Sequence, residues 1–393
     1  MTTRVLFLAE RTSVPDGGIL PHGSGAHVAA TVSGLRQHFD VLPLFAEDEE
    51  TVSSSPHSVK RFVPPRVRGL RQDVRLVRDD RSFSERAIAE ATAFRPDVVY
   101  ERNEYFAVAG HRVAKRLHVP HVLEVTGLVD LDFREFYRSL GEPLGSALER
   151  WKLRHADAVV TETPGLGRKL VARGAPERRL VIVPNTADLA FFGAARRTEH
   201  PDGPIVVGWI GHLMSWHSLD LLVSAAESIV KTDRRVRFDI VGGGVGLEQV
   251  VAQVAARGLA SSFRFTGTVP RNDLPATLAG FDIGVVPGHL EHAFPVKLVE
   301  MGAAGLPVVA PRSTSLDEML TPGVEYEPFT AGEVPSFAGA VRRLIDDRDR
   351  RISLGAALHA AVRDRYSWES SAEALRAVVE SVVRNGARPR LAA

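Results

Sequence analysis

The sequence predicts an α/β protein built from two doubly wound, Rossmann-like domains that face an interdomain cleft. Three observations carry that reading. Short apolar runs alternate with longer amphipathic stretches along nearly the whole chain. The runs are continuous Val, Ile and Leu without polar alternation, which marks strands covered on both faces and therefore parallel sheets. The alternation breaks at 184–204, then starts again in the same style.

Taken in order, strands are expected at 5–8, 41–45, 98–100, 121–125, 158–161 and 180–183, with helices at 26–37, 85–93, 105–117, 144–155 and 165–172 between them. The break contains Pro184-Asn185-Thr186, Gly193 and Pro201-Asp202-Gly203-Pro204, turn chemistry that suits a linker. Strands follow at 205–210, 238–241, 263–266, 283–286 and 308–310, and helices at 220–230, 247–255, 297–303 and 336–344. A last helix is expected over 368–384, with no strand after it. These elements divide the chain into a first domain at 1–187, a linker at 188–203, a second domain at 204–366 and a closing helix with tail at 367–393. The length of 393 residues agrees, since domains average roughly 150 residues. Ligands of open α/β sheets bind at the carboxyl ends of strands, so function is expected in the loops that follow them.

Composition narrows the chemistry. The mix of 44% hydrophobic and 25% charged residues is that of a globular protein with a full core. A formal charge of +1 gives no global field to attract nucleic acid or membrane. With no cysteine there are no disulfides, Cys-held metals or thiol nucleophiles, and the 14 histidines show no metal-ligand spacing, so no metal is expected. The apolar run at 5–9 is too short for a secretory signal and leads into Glu10 and Arg11. No run approaches the ~18 apolar residues of a spanning helix, and a cytoplasmic protein is expected.

Two stretches hold the first candidates. Residues 17–28, with Gly17, Gly18, Gly23, Ser24, Gly25 and His27, follow the first strand and open a helix. Small residues there let backbone N–H groups approach an anion or a polar oxygen, although the stretch is not GxGxxG and also suits a plain turn. The segment from Phe294-Pro295-Val296-Lys297 through Glu300 to Gly305-Leu306-Pro307 reads as loop, helix start, turn and strand. The free N–H groups of Val296 and Lys297 and the Lys297 ammonium suit a diphosphate. Glu300 lies one turn further on the same face, where a carboxylate accepts two ribose hydroxyls. The plain alternative is an exposed Lys–Glu pair worth a few tenths of a kcal/mol. Gly243 and Gly244, after the strand at 238–241, suit a turn beside the base or diphosphate, or a loop that needs positive φ.

This second segment resembles the signature of the family 4 glycosyltransferases, whose fold is the two-lobed GT-B arrangement. Val183-Pro184-Asn185-Thr186-Ala187-Asp188 is similar to that family's interdomain stretch, and 265–287 to its nucleotide-lobe core. Tyr100-Glu101-Arg102 and Leu123-Glu124-Val125-Thr126-Gly127 resemble the first lobe of one subgroup, and Trp368 with its helix resembles the closing helix. The resemblance implies a retaining transfer from a nucleotide diphosphate sugar, with a UDP-sugar as the expected donor, no obligatory metal and no further cofactor. It implies donor contacts at Gly25, His212, His217, Gly243, Gly244, His292, Phe294, Pro295, Val296, Lys297 and Glu300. Lys297, Glu101, Arg102 and Thr126 are the candidates beside the reacting sugar, and Ser24, His27, Glu124 and Phe133 those beside the acceptor.

The departures are informative. His292 stands where the family usually has a glutamate eight residues before Glu300, and Glu291 is one position off register. His212 and His217 stand where an arginine and a lysine are usual, and Thr126 where a first-lobe histidine is. Histidines add charge only when protonated, so they predict donor affinity that rises as pH falls from about 8 towards 6. The arginine-rich stretch Arg61–Arg86 reads as a basic loop, a solvated surface or a place for an anionic acceptor or a membrane face. Phe133, Phe136 and Tyr137 suit an acceptor wall or core packing. A nucleotide-sugar epimerase and a non-catalytic sugar-nucleotide binder are the rival readings; nucleic acid is not an expected partner, because the basic stretch lacks interleaved aromatics.

Overall fold

A computed structural model describes residues 2–10, 23–45, 69–132, 140–193, 203–244 and 246–386. By contacts they form two units. The first comprises 1–16, 28–184 and 371–393, and the second 17–27 and 185–370.

The first unit carries a six-stranded parallel sheet in the order β2-β1-β3-β4-β5-β6. Its strands are β1 (Arg4–Ala9), β2 (Asp40–Phe45), β3 (Val98–Arg102), β4 (His121–Val125), β5 (Ala158–Thr161) and β6 (Leu180–Ile182). Its long helices are α1 (Gly23–Arg36), which counts with this unit from Val28 onward, α2 (Leu70–Phe94), α3 (Ala109–Leu117), α4 (Glu142–His155) and α5 (Pro164–Ala172). Strand β1 is apolar on both faces because both are covered. Val5, Phe7 and Ala9 pack with Val28 and Leu35 of α1, while Leu6 and Leu8 pack with Phe83 and Ala87 of α2.

The second unit carries another six-stranded parallel sheet, ordered β12-β11-β10-β7-β8-β9. These strands are β7 (Ile205–Ile210), β8 (Val236–Val241), β9 (Phe263–Gly267), β10 (Ile283–Val285), β11 (Val308–Pro311) and β12 (Glu327–Phe329). The long helices are α6 (Leu219–Thr232), α7 (Leu247–Ala256), α8 (Val296–Ala303), α9 (Val334–Asp346) and α10 (Arg348–Arg365). A final helix, α11 (Trp368–Gly386), counts with the first unit from Ser371 onward, where Leu375, Val378, Val379 and Val382 join the core beside β1.

The structure corrects several expectations. The supposed basic loop is a helix from Leu70 onward, carrying Arg71, Arg75, Arg78, Arg81 and Arg86, while Arg61, Arg66 and Arg68 lie outside the described residues. The helix expected from 105 starts at Ala109, because Phe106 takes a positive φ of 60° and closes a turn first. Within the expected linker, Asp188 caps a short helix, Leu189–Phe192, and Phe192 is buried in the second unit's core. Strand β12 and helix α10 were not anticipated. Glu327-Pro328 reads as polar turn, yet Glu327 is buried because Arg343 and Arg350 meet its carboxylate at 2.7 Å each.

That last contact makes a test. Glu327→Gln keeps the shape but removes the charge that both arginines face, and breaking a buried ion pair costs about 3 kcal/mol. The urea midpoint should fall with the slope of the transition unchanged; an unmoved midpoint refutes the contribution assigned to the pair.

Candidate functional site

The second sheet fixes where a ligand belongs. Its order reverses between β7 and β10, and such a switch point leaves a crevice outside the carboxyl ends of the two strands. The chain enters that crevice after β7, through Gly211 to His217, and after β10, through the loop leading to α8.

Between them lies Lys297. Its ammonium sits 4.2 Å from the ring centroid of Trp209, a fully buried residue of β7. The Nζ is shielded from solvent and has no hydrogen-bond partner. Burial pushes its pKa down to about 7, against the opposing pull of Glu300. Gly211 leaves room for it: with φ +144, a Cβ there would stand 2.8 Å from Nζ. A cation over an indole recovers ~2 kcal/mol when desolvated, less than three unmade hydrogen bonds. The site therefore favours an incoming anion.

The start of α8 adds to this. Leu298 and Val299 donate to the Pro295 carbonyl at 3.0 and 3.4 Å. Pro295 has no N–H and no capping side chain, and the N–H groups of Val296 and Lys297 precede the first intrahelical donor, Leu298, and point out of the helix end. The preceding residue, Phe294, is buried, with its carbonyl held by Asn185 Nδ2 at 2.6 Å and its ring 4.8 Å from Tyr366. His292 is buried in the same loop.

Glu300 is buried on α8, and Arg271 Nη1 lies 3.0 Å from its carboxylate. Burial raises its pKa, with Arg271 and Lys297 opposing. Arg271 in turn rests over the rings of Phe191 and Phe192, 5.2 and 5.6 Å from their centroids. Glu300 is therefore already engaged, and a ribose would have to share it with Arg271.

The histidines behave differently from the charge donors that the sequence suggested. His217 Nδ1 accepts from the Met214 N–H at 3.2 Å, and its ring lies 5.6 Å from Trp209. Burial, then Lys297 and His212, hold its pKa far below the usual histidine value. Burial and Lys297 also lower that of His212. Both are neutral near pH 7, so the positive charge beside them is that of Lys297. Gly243 and Gly244 serve the loop itself. The Leu213 N–H donates to the Gly243 carbonyl at 2.7 Å, and a Cβ on Gly244, at φ +140, would meet the Leu213 oxygen at 2.6 Å.

The first unit brings a separate group together at the carboxyl ends of β3 and β4. Arg102 donates to Thr126 Oγ1 at 3.2 Å, and its Nη1 lies 3.6 Å from Glu124 Oε2. Glu124 also accepts from Tyr100 at 2.8 Å and Thr31 at 3.4 Å. Glu101 points elsewhere. It is buried, 3.0 Å from His121 Nε2, and accepts the Gly110 N–H at 2.6 Å. Burial raises its pKa, but His121 and Gly110 outweigh that and hold it below the ordinary range. Its partners make it a structural anion away from Arg102. Of the remaining candidates, His27 Nδ1 lies 2.6 Å from Asn185 Oδ1, both among the second unit's residues. Gly25 is buried in the first turn of α1, and Ser24 lies in that turn. Phe133, Phe136, Tyr137 and residues 11–22 fall outside the described residues.

Sequence reasoning missed three residues of the second unit's site. Trp209 hides in an apolar strand, but it is the strand's only aromatic and stands two residues before Gly211. Arg271 and Asn185 carry no motif that marks them as partners of Glu300 and Phe294.

Comparison with known proteins follows this division. Residues 21–191 match the family model described as Glycosyltransferase Family 4, and residues 204–347 the one described as Glycosyl transferases group 1. The chain is 30% identical over 258 residues to a 2-deoxystreptamine glucosyltransferase of Streptomyces kanamyceticus, a match covering 61% of this chain and 65% of that protein. It spans 65% of that protein's length, and 55% and 53% of two D-inositol 3-phosphate glycosyltransferases, from Nocardia farcinica and Geodermatophilus obscurus. Among solved structures it superposes on sucrose-phosphate synthase from Thermosynechococcus elongatus with a TM-score of 0.78 at 16% identity, covering 98% of this chain and 100% of that one. HepE from Anabaena, solved with UDP-glucose, gives 0.70 at 16% identity over 96% and 99%. At that identity the likeness is one of fold, the GT-B fold.

The geometry of Lys297 carries its own test. Below pH 7 the lysine is charged in both folded and unfolded states, and the folded state bears the full burial penalty. Between about 7 and 10.5 only the unfolded chain holds the proton, so rising pH relieves the penalty. Lys297→Met should therefore be more stable than the parent at pH 6 by about 1–3 kcal/mol, with the gap closing by pH 10. Chemical denaturation across that range decides it, and a variant less stable at pH 6 contradicts the unpaired ammonium.

Proposed function

From the premise that the chain belongs to the family 4 glycosyltransferases, we propose that it moves a sugar from a nucleotide diphosphate sugar to an acceptor, with retention at the anomeric carbon. The donor diphosphate sits at the start of α8. The observation that carries this reading is Lys297: a solvent-shielded ammonium without a hydrogen-bond partner, beside two outward N–H groups at a sheet switch point. A diphosphate fits that demand, because it brings two charges and several acceptor oxygens to one place.

In the reaction, the bond from the anomeric carbon to the diphosphate oxygen breaks while a bond to the acceptor oxygen forms on the same face. A diphosphate oxygen takes the acceptor proton, and the departing charge grows opposite Lys297 and the helix start. Glu300 receives the ribose hydroxyls, sharing its carboxylate with Arg271. Arg102, Thr126 and Glu124 are the polar side chains that the first unit would offer the acceptor, and Glu101 has no part in the chemistry. A UDP-sugar is the proposed donor, supported by the UDP-glucose complex of HepE, and hexosyl transfer the proposed subtype. The acceptor is a small molecule, a lipid-linked sugar or a polysaccharide; the S. kanamyceticus relative is named for an aminocyclitol.

Two measurements test the assignments. An anionic diphosphate favours the ammonium, so affinity for an intact nucleotide sugar should hold below pH 7 and fall as pH rises from about 7 to 9. The diphosphate of a nucleotide sugar has no terminal phosphate to titrate near 6, which leaves Lys297 as the source of the slope. Lys297→Arg should flatten it, and a slope that survives in the arginine variant moves the charge to another group. Glu300→Gln should weaken binding by about tenfold or more, because a buried hydrogen bond to a charged group is worth about 1.5–3 kcal/mol. A ribose contact predicts the same loss for the nucleoside without phosphates, measured by calorimetry; a loss confined to the phosphorylated ligand assigns Glu300 to the phosphate side instead.

A further inference from the structure

The first unit has an exposed apolar surface apart from the side chains described above. Along its first three turns helix α2 buries Gln72, Asp73 and Asp80 beside Leu76. Asp73 accepts the N–H groups of Leu140 and Gly141 at 3.1 and 2.7 Å. Asp80 is buried too, accepting from Val108 at 2.8 Å and Arg112 at 2.6 Å. Its outer face carries Leu70, Val74 and Val77, which are 65%, 61% and 47% exposed and form one row at i, i+4 and i+7.

The row continues onto the neighbouring segment. Asp73 ties residues 140–141 to the first turn of α2, and a Cβ on Gly69 would stand 3.2 Å from Leu140 Cδ1. Leu140 and Leu144 are 74% and 65% exposed there. Five of the nine large hydrophobic side chains that are exposed among the described residues thus lie on these two elements. Contiguous exposed apolar surface of this kind marks an interaction site.

The rim is basic. Arg71, Arg75, Arg78 and Arg81 are exposed along the same turns. The acids among them are Asp79, shared between Arg75 at 3.5 Å and Arg78 at 3.6 Å, and Glu85, 3.2 Å from Arg81. Glu142, half-exposed, borders the leucines. We propose that this face of α2, with Leu140 and Leu144, docks the protein onto an anionic lipid surface, the apolar row entering the headgroup boundary and the arginines pairing with lipid phosphates.

Charge complementarity selects that occupant. A second copy meeting the face through a two-fold axis would set arginine row against arginine row. Nucleic acid would find no aromatic side chain in the row to stack on. An anionic bilayer satisfies both the cations and the apolar stripe. The mode is peripheral, since no helix among the described residues is long and apolar enough to cross a membrane. The proposal is independent of the transfer reaction.

Vesicle co-sedimentation tests it without any activity assay. The full chain should pellet with phosphatidylglycerol/phosphatidylcholine vesicles and stay in solution with phosphatidylcholine alone, less tightly at 0.5 M salt. Arg75→Glu with Arg78→Glu should weaken binding about tenfold or more. Leu140→Ser with Leu144→Ser should weaken it while leaving the preference for anionic lipid. Val74→Ser serves in place of either pair if its circular dichroism departs from the parent. Equal binding to both vesicle types, or variants that bind like the parent, overturns the proposal. So does a dimer in solution that the leucine variant dissolves, which would assign the face to a second copy.

Discussion

The second unit is organised around an ammonium kept from water without a hydrogen-bond partner. Lys297 is held over Trp209, and much nearby structure follows from keeping it there. Gly211 has no side chain because one would collide with Nζ. The loop after Gly211 is fixed by Gly243 and Gly244, whose backbone meets Leu213 directly. His212 and His217 remain neutral because burial and the lysine both oppose their protonation. Such a group costs stability in the unliganded protein, as strain stored at functional sites generally does. A ligand bringing negative charge and acceptor oxygens would remove that cost.

The fold was legible in the sequence because its strands are covered on both faces. Runs such as Val5–Leu8 and Ile205–Ile210 have no polar alternation, and only a doubly wound parallel sheet buries them in that way. Strand β12 escaped because its burial depends on charge rather than on apolar residues. Glu327 is inside only by virtue of two arginines that lie 16 and 23 residues further along. Helix α10 escaped for a related reason: its buried positions include Gly355 and Ala361, whose small size hides the apolar face. Helix α2 shows the same limit from the opposite side. Its sequence reads as a solvated basic stretch because aspartates usually lie outside and valines inside, whereas here Asp73 and Asp80 are inside and Val74 and Val77 outside.

Site residues were legible where they sit in local sequence patterns. Pro295, Val296, Lys297 and Glu300 share one helix start, so spacing alone predicts their common face. Trp209 and Arg271, 88 and 26 residues before Lys297, enter the site only through the sheet order. Glu101 illustrates the converse. It neighbours Arg102 in sequence, but successive strand residues point to opposite faces. One side chain therefore goes to His121 beneath α3 and the other to Thr126 and Glu124.

The neutral histidines also shape how charge is balanced at the crevice. Two strong cations in place of His212 and His217 would attract any polyanion strongly, a spent nucleoside diphosphate included. Here the positive charge comes from one lysine that titrates near 7 and from a helix end worth about half a charge. The helix contribution is fixed in direction by Pro295 and does not vary with pH, whereas the lysine contribution does. A diphosphate diester would bring two negative charges against a supply of at most about one and a half, and the product left after transfer nearly three. In the proposed reaction that excess would meet a site with little positive charge to spare. Binding strength that rises only as far as the transition state requires is the arrangement that favours turnover over tight product capture.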